Sequence, residues 1–442
     1  MELTRIVKDS HPLVRLAKTL DWERLEVLFD KTYSEDIGRP AISIRLMVGL
    51  EYLKYTFDLS DENTVAQWLE NPYWHYFCGG RFFEYELPIH PSSMTRFRKR
   101  MGEAGAEQLL KETIQAGLKL KGLKPSQLKR VNVDTTVQEK NIRFPTDARL
   151  YERARERLVK EAKKEGIALR QNYNRKAKAL LLRSNRYAHA KQMKRASRCK
   201  KQLRTILGRV IRDIQRKHKN PSPQLQELLQ TAQRIYEQQR NDKNKIYSVH
   251  ETDVACISKG KAHKRYEFGC KVSLAVTSKG GWFVGALAFK GAPYDGHTLS
   301  KTLKQVERLA QLPEHVFVDR GYRKHDYKGS CTIYIDKPRR GKTPKRLWKW
   351  MKRRAAIEPS IGHLKAEHRM DRCRLKGIQG DHINAVLSAA GMNMKKLLKV
   401  ALCLKTLTTS QRISFSHLYQ KIFRIHLITK ILHFNQKPLC LY

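Results

Sequence analysis

The period of the apolar positions changes three times along the chain. From residue 1 to about 125 it is helical: Leu13, Leu16, Leu20, Leu25 and Leu28 recur at near-helical spacing behind Pro12, which is placed to open a helix. Ile44, Met47, Val48, Leu50 and Leu53 predict a second amphipathic helix after a break at Gly38–Pro40. PYWHYF (72–77) predicts an aromatic core cluster under a turn, with His75 and His90 structural. Residues 91–102, PSSMTRFRKRMG, predict a short helix capped by Ser92 or Ser93 that carries Arg96, Arg98, Lys99 and Arg100. At 126–140, SQLKRVNVDTTVQEK, the period drops to 2, the mark of a strand. It returns to helical over 146–246, where Leu203, Leu207, Val210 and Ile214 form one stripe and Leu225, Leu228, Leu229, Ala232 and Tyr236 another. Asn220-Pro221-Ser222-Pro223 between them predicts a helical hairpin turn. From 247 onward IYSVHETDVACI, YEFGCKVSLAVTS and GWFVGALAFKG alternate as strands, with Lys279-Gly280-Gly281 suited to a hairpin. A helix from about Thr298 to Gln311, strands at 316–319 and 331–335, a basic helix from about Lys345 and a helix over 382–400 follow.

Three acids stand where these elements would deliver them to one edge. Asp134 ends VNVDTT and Asp319 ends the apolar run of VFVDRGY, each after a β-branched stretch. Glu358 lies in the helix-like RRAAIEPSIGHLK, 39 residues past Asp319. An aspartate after a strand is commonly a turn-former, but with the helical stretch removed the order is strand with Asp134, three strands, helix, strand with Asp319, strand, helix with Glu358. That is the layout of an RNase H-like α/β core. Two strand-end aspartates and a helix glutamate can share two divalent ions, and ions roughly 3.5–4 Å apart suit in-line displacement at a phosphodiester. Arg354 and Lys365 share the helical face of Glu358, placed to clamp a phosphate. Pro359 disfavours α geometry at Glu358, so the helix is expected to start or kink there.

Composition narrows the substrate. The chain has 442 residues, 89 Lys and Arg against 42 acids, and a formal net charge of +47. A field of that size draws polyanions and makes binding strongly salt-dependent, so the expected substrate is nucleic acid. The basic 91–102 helix is compatible with a helix-turn-helix entering a major groove or with a solvated basic face. The basic 146–246 stretch is compatible with tracking DNA phosphates or with a solvated insertion. The eight cysteines include no C-x-x-C pair, which predicts reduced thiols and no zinc ribbon. MELTRIVKDSHPL carries charges where a secretory signal needs an apolar run, and no stretch reaches the ~18 apolar residues of a membrane span. A soluble cytoplasmic protein, nucleoid-associated in a bacterium, is expected, or a nuclear one in a eukaryote.

VNVDTT, YEFGCKVSLAV, PYDGHTL, VFVDRGY and AAIEPSIGHLKAEHRMDR resemble the transposases of bacterial insertion sequences with a DDE active site, in particular the group with an N-terminal helical domain and an R-x3-E-x6-K signature. Arg354, Glu358 and Lys365 fit that signature, and the likeness spans about residues 10–400. The resemblance implies Asp134, Asp319 and Glu358 as catalytic and metal-binding residues, Mg²⁺ as the usual ion with Mn²⁺ able to substitute, and double-stranded DNA as partner. It implies cutting at terminal inverted repeats, joining of the freed 3′-hydroxyl to target DNA, and a homodimer on DNA. Where the family usually has a tyrosine three residues before the arginine, this chain has Met351.

The expected organisation is a helical N-terminal domain (1–125) with a DNA-binding role, a first core strand (126–145), a basic helical insertion (146–246), the remainder of the core (247–400) and a tail (401–442). Expected DNA contacts are Arg320, Arg354, Lys365, Arg96, Arg98 and Lys99, with KGKAHKRYE (259–267) able to hold a flanking strand. His297 reads as a helix-start residue and His363 as either structural or facing the site. Two other functions use the same residues: an RNase H-like nuclease without strand transfer, and a non-catalytic DNA-binding relic of a transposase.

Overall fold

The computed structural model describes residues 1–30, 42–258, 265–335 and 344–407. The break expected at Gly38–Pro40, most of KGKAHKRYE and the tail beyond 407 lie outside the described residues.

The N-terminal stretch is helical: α1 (Pro12–Thr19), α2 (Trp22–Asp30), α3 (Ile44–Thr56), α4 (Asp61–Glu70), α5 (Pro72–Phe77), α6 (Ser92–Lys119) and the short α7 (Pro125–Leu128). Pro12 opens α1 as expected, because its missing N–H falls among donors that have no intrahelical partner. The leucine stripe breaks at Leu20, whose backbone is extended, and Leu28 is exposed. The aromatic stretch is itself the helix α5, capped by Asn71, with Trp74, His75 and Phe77 buried. His75 is stacked between Trp68 and Phe83. The basic segment does not end at residue 102. Gly102, at φ 62°, kinks α6, and the helix resumes to Lys119. The expected serine cap is also corrected: the His90 ring nitrogen accepts the Ser92 N–H at 3.3 Å, and Pro91 is the capping residue.

One mixed sheet follows. Its central strand β1 (Arg130–Lys140) leads, across the sequence, into α8 (Asp147–Lys164), α9 (Asn174–His189), α10 (Met193–Lys217) and α11 (Pro223–Glu237). The turn expected at 220–223 is present, with Ser222 capping α11. What was read as a hairpin is four packed helices, because α8 and α9 supply the other walls of its core. Then come β2 (Ala255–Ser258), β3 (Tyr266–Thr277), β4 (Phe283–Phe289), α12 (Leu299–Leu309), β5 (His315–Phe317), β6 (Thr332–Tyr334), α13 (Lys345–Arg353), α14 (Ile357–Glu367), β7 (Arg372–Cys373) and α15 (Gly377–Leu407). β3 pairs antiparallel with β1, β2 and β4, while β5 runs parallel to β1 and β6 parallel to β5. Gly280 and Gly281, both at positive φ, make the β3–β4 turn.

Two hydrophobic cores result. The larger joins α1–α6, the sheet, α12, α14 and α15 without interruption at residue 125. α15 runs through its middle and is longer than the apolar run at 382–400, which is buried on most sides. Asn393 ties the layers: its side chain accepts the Phe283 N–H at 3.0 Å and donates to Phe283 O and Thr113 Oγ1. The second core belongs to α8–α11, closed by Ile246 and Val249.

Candidate active site

Along β1, Asn132, Asp134, Thr136, Gln138 and Lys140 share one face, and Val131, Val133 and Val137 share the other with Thr135 and Glu139. On its parallel side the last registered pair is Asn132 with Phe317. Asp134 and Asp319 each lie two residues beyond that pair, on neighbouring parallel strands whose usual spacing is about 4.8 Å. Asp319 follows the end of β5, whereas Asp134, expected at a strand end, lies inside β1, which stays paired with β3 as far as Glu139. Both are half-buried. Asp134 Oδ1 accepts the Thr135 N–H at 2.7 Å. Asp319 is extended and caps the turn Arg320–Tyr322, its Oδ1 accepting the Gly321 N–H at 2.9 Å.

Glu358 arrives from the other layer. Residues Arg354–Ala356 form a 3-10 turn and α14 begins at Ile357, so Pro359 falls in the first helical turn, where it removes no intrahelical bond. Ile357 and Leu364, one heptad apart and fully buried, seat α14, and Glu358 and Lys365 stand next to them on one side. Arg354 pairs with Glu358 at 3.6 Å, and the Glu358 side chain is 63% exposed. The junction is fixed to β1: Asn132 Nδ2 donates to Arg353 O at 3.1 Å, Ser278 donates to Asn132 Oδ1, and Arg353 Nε donates to Ser278 O. The helix carrying Glu358 is thus anchored two residues upstream of Asp134. Among the described residues no three His, Cys, Asp or Glu side chains close round one point as a ready-made metal cage. Two half-buried carboxylates on adjacent strands nonetheless suit a hard divalent cation that takes one or two carboxylates and completes its shell with waters and substrate phosphates.

A fourth acid was not anticipated. Asp295 Oδ1 accepts Thr135 Oγ1–H at 2.6 Å and Lys271 Nζ at 2.9 Å, and the same ammonium donates to Pro293 O. A Cβ on Gly321 would lie 2.9 Å from Asp319 Oδ1 and 3.2 Å from Asp295 Oδ2, so both carboxylates flank a position that only glycine fills without a shift. Burial pushes the Tyr322 phenol well above its usual range, and the Asp134 and Asp295 carboxylates push it further, which places both acids near that hydroxyl. The sequence signals were the places of Asp295 in PYDGHTL and of Lys271 in YEFGCKVSLAV, neither of which assigned a role to the residue.

Residues 1–100 match the family described as a transposase domain (DUF772), and residues 245–394 match the transposase DDE domain. An uncharacterized protein, ORF8 in the nfe locus of Rhizobium meliloti, is 52% identical over 190 residues, which is 43% of this chain and 91% of that protein. The chain belongs to the DDE transposases. No solved structure matches it. Transposases of this family act on DNA and generally use divalent metal ions. Among the described residues, no helix is long and apolar enough to cross a membrane.

The remaining expected DNA contacts divide by exposure. Arg320, Arg96 and Lys99 are exposed, and Arg354 and Lys365 are half-buried beside Glu358. Arg98 is a correction. It is 3% exposed, and its guanidinium donates to Glu51 at 2.7 Å, to both oxygens of Asp61 and to Thr95, with Lys54 on Asp61 as well. It lies on the inward stripe of Met94, Phe97 and Met101 and holds α3, α4 and α6 together, so no phosphate reaches it. His297 is exposed in the turn that leads into α12, and His363 pairs with Glu367 at 2.7 Å. Met351 is half-buried in α13.

Proposed function

We propose that this transposase cuts DNA at the terminal inverted repeats of an insertion sequence and joins the freed 3′-hydroxyl to target DNA, working as a homodimer on DNA. The observation that carries this reading is the parallel β1–β5 pair, with Asp134 inside β1 and Asp319 just past β5 each two residues beyond the last registered pair, in a sheet ordered β4-β3-β1-β5-β6, the RNase H-like order. Asp134, Asp319 and Glu358 are the ligands of divalent metal, Mg²⁺ by preference with Mn²⁺ as a substitute. The metal supplies Lewis acidity and lowers the pKa of a bound water or 3′-hydroxyl. The chain's own residues do the rest. Arg354 screens Glu358 and, with Lys365 and Arg320, holds the scissile phosphate. Gly321 leaves room for the Asp319 carboxylate, and Asp295, held by Lys271 and Thr135, keeps the turn Arg320–Tyr322 in place as a positioning residue.

The test is cleavage of a duplex carrying the element's own end, in Mg²⁺ and in Mn²⁺. The parent cuts and joins; Asp319→Ala and Glu358→Ala lose activity by at least ~10³-fold while binding the end as before. Cutting without joining would turn the reading to a nuclease, and binding without cutting in either metal to a DNA-binding relic. Asp295→Asn is expected to lower the rate about tenfold with end binding and melting unchanged, and Asp295→Glu to recover part of it.

A further inference from the structure

The four-helix insertion is charged on one side. α9 and α10 together carry fifteen Lys and Arg against one acid, Asp213, whereas α8 and α11 carry eight against six, so the excess charge lies on the α9–α10 side. Two clefts open in this unit. One, between α8 and α11, compensates itself: Arg153 pairs with Glu156 and Lys164 with Glu161 along its wall. The other, about 400 Å³, is lined by Arg170, Tyr173, Arg209, Arg212, Arg216 and Asp213. Arg209, Arg212 and Arg216 follow at helical spacing on the exposed stripe of α10, opposite the buried stripe of Leu203, Leu207, Val210 and Ile214. Asp213, the acid there, is already engaged: its Oδ2 accepts the Arg170 N–H at 2.8 Å and Lys217 at 3.4 Å, and its Oδ1 accepts Arg216 at 2.6 Å. Four arginines therefore line a concave site with one carboxylate to offset their charge, an arrangement whose like charges repel until an anion enters.

We propose that this cleft is a second DNA site, which seats a backbone phosphate of duplex DNA apart from the carboxylates at the sheet edge. Guanidinium forks match phosphate oxygens in charge and in bidentate geometry. DNA as the source of the phosphate rests on the function proposed above. The contact is sequence-independent and positions the duplex.

Binding of the full-length protein to two unrelated 30-base-pair duplexes, followed by fluorescence anisotropy from about 0.05 to 0.3 M salt, tests it. Arg209→Gln/Arg212→Gln is expected to make the slope of log K against log [salt] shallower by about 1, and to weaken binding roughly tenfold at 0.1 M salt on both sequences. Arg209→Lys/Arg212→Lys restores the slope, because charge sets it. Arg157→Gln/Lys160→Gln, on the compensated cleft, changes nothing. The site is overturned if the first variant keeps the parent's slope with its melting intact, if the Arg157/Lys160 variant loses as much, or if polyglutamate competes as well as DNA and loses equally. Cleavage measured on the same preparations separates the two proposals. A parent that binds steeply but never cuts sinks the enzyme reading alone; a parent that cuts while the variant keeps its slope sinks the cleft alone.

Discussion

The N-terminal helices and the insertion look alike in period, both helical and outside the strands, although only the insertion is basic as a whole. Their packing is opposite. The N-terminal helices have no core of their own. α3 and α6 bury their sides against α15 and the sheet, and Glu107 of α6 takes Gln305 and Arg308 from α12 and His382 from α15. The insertion closes its own core and leaves the sheet where it returns. Glu139, at the end of β1, pairs with Gly269, and Gly269 pairs with Ala255, the start of β2. Departure and return are therefore two strand spacings apart, about 10 Å. One helical region is part of the structure that aligns Asp134 with Asp319, and the other is attached to its rim.

The largest test of that contrast is excision. Replacing residues 145–250 by a short Gly-Ser linker should leave a cooperative melt and a folded sheet, whereas a chain beginning after residue 119 should show none by calorimetry. Equal survival of both would break the distinction. Next is Arg98→Ala, which leaves Glu51 buried without its hydrogen-bonded partner and Asp61 with Lys54 alone, and should cost about 3–5 kcal/mol in denaturant unfolding. A DNA contact would instead leave stability alone and weaken binding. Leu207→Ala, in the insertion core, should cost about 2–5 kcal/mol, but hydrogen exchange should rise only in α8–α11. Smallest is the seam at Glu107. Burial opposes its charge, yet hydrogen bonds from His382, Gln305 and Arg308 hold its carboxyl down to about 2. Its contribution is full above about pH 4.5 and is lost as pH falls toward 2. Glu107→Gln should therefore melt lower than the parent at pH 7, with the gap narrowing between pH 5 and 3.

Much of the sheet could be read because its signals are local. The alternation in β1 and β3, the Lys279-Gly280-Gly281 turn and the acid after the apolar run of VFVDRGY each lie within a few residues, whereas VNVDTT was read as a strand end and β1 runs on six residues past Asp134. Arg98 could not be read as a contact or a strut from its neighbours, since Glu51 and Asp61 reach it from helices 47 and 37 residues away. Its position on the stripe of Met94, Phe97 and Met101 was the one local hint. Asp295 is similar: Thr135 and Lys271 come from two other strands. The independence of the insertion was hidden because helical periodicity shows which face is apolar, not what covers it.

Lys140 marks the place where the insertion leaves the sheet. Its ammonium lies 2.8 Å from Asp381 and 3.3 Å from Glu251, and it donates to Gly377 O at 3.0 Å. Tension applied through DNA held by the insertion would reach the sheet as shear along β1 and β2, on either side of Gly269. It would be shared with α15 through this ammonium and through Gln138, whose side chain donates to Asp381 O and accepts from Asn384, before it reached Asp134, six residues upstream of Lys140. Lys140 and Gln138 thus spread a pull on the rim into α15 before it bears on Asp134.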